Sequence, residues 1–459
     1  MLTVIKRRWH KQGGYREVLQ VAVPLILSTG AWSILLFVDR MFLSWHSPES
    51  IAAALPAGMA SFALSCLFIG IAAYVNTFVA QYHGAKQNLK VGSIVWQGIY
   101  LSLTSLVIII PAYFMADSIF QNFGHEPEVV SSEVIYFKTL MYSSAFFVMN
   151  NTLSSFFSGL GKTIVVMWVS VAITVINIVL DYILIFGVAG FPEMGIRGAA
   201  IATNIAVISG TLLFIILILG KTNRESYQTL SAWQFRPELF KRLIYFGFPN
   251  GLRLFIDMAS FTAFIMFVGI LGTTELAASN IAFNINALSF LPMIGLMIGV
   301  SVVVGQRLGE NKPAIAERAA WSAIHIALVF FGLLGMMYVL IPSLFIWPFT
   351  LHDGFASQES TAQLIIVLLR FIALFGIFDS IFLVFLGALE GAGDTHFIMR
   401  ISFLVSGILL VVPAYVYTTY FDADLMVLWL LITVNVMIYS AVFFWRFTRG
   451  PWKNMRVIH

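Results

Sequence analysis

Apolar runs long enough to cross a bilayer follow one another from end to end of this chain, and four of them contain an aspartate: Asp39, Asp181, Asp257 and Asp379. A helix needs about 20 apolar residues to span the hydrocarbon, and only helices or closed barrels satisfy their backbone there. Runs of this length therefore predict a helical membrane protein. A carboxylate at the centre of such a run costs about 2.5–3.5 kcal/mol to insert and is kept where it faces protein or a wet cavity and handles ions or solutes. With 59% hydrophobic and 10% charged residues, the chain has too little polar surface to cover a water-soluble core. The first run follows Lys6-Arg7-Arg8 and Lys11 with no small-residue cleavage site before Trp45, which predicts a retained span and not a signal peptide. Cys66, the single cysteine, excludes an internal disulfide or a multi-cysteine metal site and reads as a small packing residue.

A span-length window predicts twelve transmembrane helices at 17–45, 55–82, 91–116, 132–157, 163–188, 196–220, 239–271, 276–305, 317–347, 361–388, 395–420 and 425–447. Alternating the loops places 21 of the 26 Lys and Arg residues on one side, Arg197 alone on the other, and Arg40, Lys138, Arg253 and Arg370 within spans. By the positive-inside rule the basic side, which holds both termini, is cytoplasmic. The same bias accounts for the basic balance of the chain, so no nucleic-acid partner is expected; the partner is the lipid bilayer.

The chain also repeats itself. Pro24 and Pro249, Ile69-Gly70 and Ile294-Gly295, Gln81 and Gln306, and Gly84 and Gly309 are each separated by 225 positions, and Gly159-Leu160-Gly161-Lys162-Thr163 returns as Gly391-Ala392-Gly393-Asp394-Thr395. The expected fold is an all-α membrane protein of two six-helix bundles, lobes 1–225 and 236–459, joined by the polar, basic stretch from Lys221 to Pro237. An even number of helices per repeat gives both halves one orientation. A pseudo-twofold axis along the membrane normal follows, with a cavity between the lobes near the midplane. Since the lobe interface supplies a complete cavity, a monomer is expected.

Pro24 followed by Val38-Asp39, Gln81-x-x-Gly84-Ala85, Gly159-Leu160-Gly161, Asn177-x-x-x-Asp181-Tyr182-Ile183-Leu184-Ile185-Phe186-Gly187 and Gly391-Ala392-Gly393-Asp394 together resemble the multidrug and toxic compound extrusion (MATE) family. The resemblance covers nearly the whole chain. It implies a multi-pass protein of the bacterial plasma membrane that extrudes bulky, often cationic amphiphiles in exchange for inward Na⁺ or H⁺, with no cofactor beyond the coupling ion. Asp39 matches the family's first-helix acid, a protonation or Na⁺ site whose occupancy goes with bending at Pro24. Asp257 falls where the Na⁺-coupled branch has a glutamate, and Asp379, in Ala373-Leu374-Phe375-x-x-Phe378-Asp379, matches that branch's aspartate in span ten.

The residues carry this chemistry on their own terms. Proline removes a backbone hydrogen bond and permits a kink, which makes Pro24 a hinge, unless it merely starts the helix. Asn177 and Asp181 are four apart and share a helix face, so an amide and a carboxylate serve one cation or one hydrogen-bond network. With Asp39, Asn150, Asn151, Thr203 and Asn204 they offer a polar pocket in the first half, or polar glue between helices. Arg253 and Asp257 are likewise four apart and read equally well as a static salt bridge. Arg370, nine residues before Asp379, points to the opposite side and leaves that acid unneutralised. A carboxylate suits both ions, as a hard oxygen donor for Na⁺ or as a proton carrier. Competition of ion and cationic substrate for one acid, Asp39 or Asp379, gives exchange.

Cavity walls are expected from Trp32, Phe37, Phe283, Asn284 and Met293, whose rings attract organic cations and whose thioether adapts to unlike shapes. The eight histidines show no metal-ligand spacing, and no Gly-x-Ser-x-Gly, phosphate loop or His-Glu-x-x-His occurs, so neither an enzyme nor a self-contained ATP-driven pump is expected. The alternative is a flippase for a lipid-linked oligosaccharide precursor, recruiting Arg40, Lys138, Arg253 and Arg370 to hold a pyrophosphate. Against it, Arg40 turns about 100° away from Asp39 on the helix.

Overall fold

The computed structural model describes residues 8–121, 125–350 and 359–458, and among these it is helical with no strand. Lys6 and Arg7 lie outside the described residues. Eleven helices are long and apolar enough to cross a membrane: Tyr15–His46, Pro48–Gly84, Asn88–Gln121, Thr163–Phe186, Gly195–Ile218, Pro237–Leu271, Thr273–Gly309, Pro313–Leu340, Thr361–Ala392, Thr395–Tyr420 and Leu425–Arg449. The twelfth, Pro127–Gly159, is 33 residues long but diluted by Glu133, Lys138, Asn150, Asn151 and its serines. In chain order these are spans one to twelve, with Pro127–Gly159 the fourth.

Two local features depart from the expected spans. The predicted ninth span, 317–347, crosses a break: its helix ends at Leu340, Ile341 takes a non-helical conformation, and a separate helix runs Pro342–Thr350. Pro342 is the reason, since a proline pushes the residue before it out of the helical region. Span eleven is wound as a π-helix from Phe403 to Leu410. Wider winding frees carbonyls from the usual ladder, and the Val405 carbonyl accepts a 2.7 Å bond from Asn435 Nδ2 of span twelve.

The helices pack as two compact units. One consists of Met1–Ile26 and Arg253–Arg456, the other of Leu27–Leu252 and Val457–His459. The polar stretch from Lys221 to Pro237 marks where the sequence repeat turns over; the packing units change hands elsewhere, inside span one just after Pro24 and inside span seven just after Pro249.

In the first of these units, Val18 and Ala22 of span one join Met293, Leu296 and Val300 of span eight and Leu386 and Leu389 of span ten in one apolar core. The chain leading into span one is fixed there too: Arg8 Nε donates to Ser322 Oγ, and Arg307 bonds Glu17 at 2.7 Å and Glu310 at 2.9 Å. Glu310 lies just beyond span eight. Burial pulls its carboxyl upward, but hydrogen bonds from Lys312 and Arg307 outweigh this and hold it below the usual range.

In the other unit, Phe42, Ala57, Tyr136, Phe137, Ile185 and Ala199 form the corresponding core. The stretch between spans six and seven is clasped to span three by Trp96, which donates to the Thr229 carbonyl, and by Tyr100, which donates to that of Trp233. A pair of glycines shows how closely the swapped half-helices pack. A Cβ on Gly70 would sit 2.4 Å from the Gly251 Cα, and one on Gly295 would sit 2.6 Å from the Ile26 Cα, so neither position admits a side chain as the helices stand. Gly70 and Gly295 are repeat partners 225 positions apart, and so are Ile26 and Gly251.

Candidate functional site

The first-half acids come together in the unit Leu27–Leu252. Asp39 of span one, Asn177 and Asp181 of span five and Tyr136 of span four are all buried. Asp39 lies near enough for its charge to act on Asp181, and Arg40 is the cation that bears on Asp39. Tyr136 donates toward Asp39 Oδ2 from 3.5 Å, too far for a full hydrogen bond. Asn177 Nδ2 donates to Thr203 Oγ1 at 3.3 Å. Both oxygens of Asp181, Oδ1 of Asp39 and Oδ1 of Asn177 are buried without a hydrogen-bond partner among the described residues.

Buried polar groups are nearly always bonded, and an unmet acceptor costs about 1–3 kcal/mol, more when charged. Four unserved oxygens on three neighbouring side chains form a site whose chemistry suits positive charge. A proton on one carboxylate gives that oxygen a donor; a hard monovalent cation takes several oxygens at once. The donor set is all oxygen and fits either.

The remaining expected members of this pocket divide. Thr203 joins the cluster through Asn177. Asn204, one residue on and turned away, ties span six to span four, accepting from Ser143 at 2.5 Å and donating to the Thr139 carbonyl at 2.7 Å. Asn151 bonds its own helix at the Phe147 carbonyl, and Asn150 stands beside Gly210. Pro24 is the tenth residue of its helix and so does not start it; its missing N–H falls in the helix interior. Trp32 packs on Phe147 with ring centroids 5.4 Å apart, and Phe37 is 68% exposed. A cavity of about 520 Å³ opens beside His46, Glu49, Glu128 and Glu193, and none of the expected site residues lines it.

The second-half acids sit in the unit Arg253–Arg456 and are treated differently. Asp257 Oδ2 accepts from Arg253 Nη1 at 3.1 Å, while its Oδ1 lies 3.2 Å from each of the Ser406 and Tyr439 hydroxyls, which share a 2.7 Å hydrogen bond with each other. The second nitrogen of the guanidinium, Nη2, lies 3.2 Å from Glu390 Oε1. Asp379 is partly buried and makes no hydrogen bond or ion pair with a described residue. Phe283, partly buried, stacks on Trp429 of the core at 4.7 Å. Met293 is also core, 2% exposed, because its side chain packs among Leu296 and Val300. Asn284 is exposed and donates to the Asn280 carbonyl, which leaves its own carbonyl oxygen outward.

Sequence reasoning missed Tyr136, Glu390, Ser406 and Tyr439. Glu390 alone carried a signal, as an acid inside an apolar run one residue before the Gly391-Ala392-Gly393-Asp394 motif. That motif's Asp394 holds Arg446 through 2.7 and 3.2 Å bonds.

A twofold-repeated, twelve-span helical bundle with buried unserved acids defines a polytopic membrane protein of the transporter type. The MatE family model matches residues 24–183 and again 249–416, each match opening on a repeat proline, and the chain belongs to that family. It is 26% identical to the probable multidrug resistance protein NorM of Thermotoga maritima over 96% of this chain and 94% of that protein. Against the multidrug resistance protein NorM of Burkholderia vietnamiensis it is 27% identical over 83% and 82% of the two chains. Its fold matches a crystal structure of MATE in the straight conformation, with a TM-score of 0.86 at 22% identity over 98% of both chains. It also matches an outward-facing multidrug resistance MATE family transporter of the MOP superfamily, with a TM-score of 0.86 at 21% identity over 95% and 96%.

Proposed function

We propose that the protein is a cation-coupled antiporter that exports bulky amphiphilic, often cationic compounds by alternating access, driven by inward H⁺ or Na⁺. The observation that carries this reading is the set of unserved buried oxygens on Asp39, Asp181 and Asn177. Loading a cation there removes a buried negative charge, and unloading restores it. An equilibrium between two conformations shifts only if the ligand favours one of them, and a site whose charge changes on the same helix as Pro24 supplies that difference. An organic cation drawn to the same acids disfavours the loaded state, so the two ligands exchange. The names of the curated relatives support the substrate class. Asp379 serves as the second-half acid open to a cation, and Asp257 is the least available because Arg253 already holds it. The basic bias of alternate loops supports cytoplasmic termini in a bacterial inner membrane, and the function needs no cofactor, no catalysis and no second copy.

The test is efflux of ethidium from proteoliposomes under an imposed pH gradient or an imposed Na⁺ gradient, with wild type, Asp39→Asn and Asp379→Asn. Export that follows one gradient and vanishes in Asp39→Asn supports the reading and names the ion. Full export by Asp39→Asn, or none by wild type under either gradient, overturns it.

A further inference from the structure

Five cations, Lys6, Arg7, Arg8, Lys11 and Arg16, come before the first acid of the chain, Glu17. Of the described ones, Arg8 and Lys11 lead into span one and Arg16 stands in its first turn. Arg318, in the second turn of span nine, lies against them: Arg8 Nη2 donates to the Arg318 carbonyl at 3.2 Å, and Arg318 Nη1 donates to the Gln12 carbonyl at 3.1 Å. None of Arg8, Lys11, Arg16 and Arg318 forms an ion pair with a described residue. The neighbouring acids are engaged elsewhere, Glu17 and Glu310 with Arg307 and Lys312, and Glu317 with Lys453 at 2.8 Å. Those pairs balance among themselves and leave the four cations without a fixed counter-charge.

Two of the four are held in place. Arg8 Nε donates to Ser322 Oγ at 3.1 Å, and its guanidinium lies over the Tyr15 ring, 5.7 Å from the centroid. A guanidinium has five N–H donors; Arg8 uses two of them in these bonds and Arg318 one, so most of both forks stay open. Such a fork matches the oxygens of a phosphate group two at a time. Lys11 and Arg16 are exposed and add charge beside it.

The cluster also lies at the right depth for a lipid. Span one has 32 residues, about 48 Å of helix against a hydrocarbon layer of about 30 Å, and Arg16 in the first turn keeps that end out among the headgroups. Trp9 is 40% exposed, with its ring 6.3 Å from that of Tyr15, and tryptophan is the residue that gathers at the boundary between headgroups and acyl chains. Each basic residue at an anionic membrane surface is worth about a fivefold preference.

We propose that Arg8, Lys11, Arg16 and Arg318 form a binding site for the phosphodiester headgroup of an anionic glycerophospholipid, with Trp9 against its acyl chains. A free phosphate shares the headgroup's chemistry, but an exposed tryptophan at the boundary suits a lipid. Arg8, Lys11 and Arg16 precede the stretch that the family model matches, which opens at residue 24. The site does not rest on the antiport reading.

The test is quenching of tryptophan fluorescence in phosphatidylcholine nanodiscs that hold a minor share of lipid brominated on the upper acyl chain, either phosphatidylglycerol or phosphatidylcholine. The wild-type signal minus that of Trp9→Phe isolates Trp9 among the 11 tryptophans. Brominated phosphatidylglycerol should quench Trp9 several-fold more than brominated phosphatidylcholine at the same share, and added NaCl should shrink the difference. Lys11→Gln combined with Arg16→Gln changes two exposed side chains that hold no described partner, so the fold stays intact while most of the excess is lost. Adding Arg318→Gln should abolish it. Inorganic phosphate should displace the lipid no better than NaCl of equal ionic strength. Equal quenching by the two lipids, none by either, or an unchanged excess in the double variant overturns the proposal. Preferential displacement by inorganic phosphate does so too, since it assigns the cluster to a soluble anion. Vesicles that export no ethidium would sink the antiport reading and leave the lipid site standing.

Discussion

In the first half of the chain, Asp39 and Asp181 are buried with three of their four carboxylate oxygens unserved among the described residues; in the second half, Asp257 has the guanidinium of Arg253 on one oxygen and the Ser406 and Tyr439 hydroxyls, 2.7 Å from each other, at the other. The two repeats thus solve the problem of a membrane-embedded acid in opposite ways. One leaves its acids without a fixed partner, and the other tethers a cation to the backbone one helical turn away. A tethered cation cannot leave, so the pair is structural, and a change of state in that half has to come from a different acid. An open site is costly until it is loaded, and that cost is what makes loading matter.

The contrast breaks most visibly at Asp39. Asp39→Asn should reduce ethidium export to the level of protein-free vesicles while leaving thermal stability in detergent unchanged or higher, because an amide no longer buries a charge. Loss of stability with transport intact would mean that Asp39 is structural as well. The mirror-image result is expected at Arg253. Arg253→Ala strands two buried carboxylates and should cost about 3–5 kcal/mol, read as a large drop in thermal stability, with the further replacements Asp257→Asn and Glu390→Gln recovering much of it.

A smaller effect separates the two acids within the second half. Asp379→Asn should lower export several-fold with little change in stability, whereas Asp257→Asn should change transport less than Asp379→Asn does. A double-mutant cycle between Arg253 and Asp257 should then return a coupling of about 0.5–3 kcal/mol. The smallest difference lies in the phenols. Tyr439→Phe removes a 3.2 Å bond to a charged group and should cost about 1.5–3 kcal/mol, while Tyr136→Phe, whose hydroxyl stands 3.5 Å from Asp39, should cost well under that. Equal losses would erase the distinction drawn between the two sites.

Much of this architecture is legible from residue order. Span length and the paired prolines predict the twelve helices and the repeat because bilayer thickness imposes a length that sequence cannot disguise. Asn177 and Asp181 share a face by spacing alone, and the Arg253–Asp257 pair is visible for the same reason. The partners of these acids are not visible, since Tyr136 lies 97 positions from Asp39 and Tyr439 lies 182 from Asp257, distances set only by packing. Met293 shows the opposite failure: an apolar residue near a proline reads equally as cavity wall and as core, and burial alone decides. The π-wound segment of span eleven, which holds Ser406 near Asp257, gives no sign in Phe403–Leu410, a run whose one polar side chain is that serine.

The places where the packing units change hands make the two repeats mutually dependent. The entering half of span one is built into the core made by the second repeat's helices, and the entering half of span seven into that made by the first's. Cut at the linker between repeats, each fragment keeps a half-helix that belongs to the other's core and lacks the one its own core needs. Joining the repeats in one polypeptide is what lets each core borrow the arm it lacks without a second molecule.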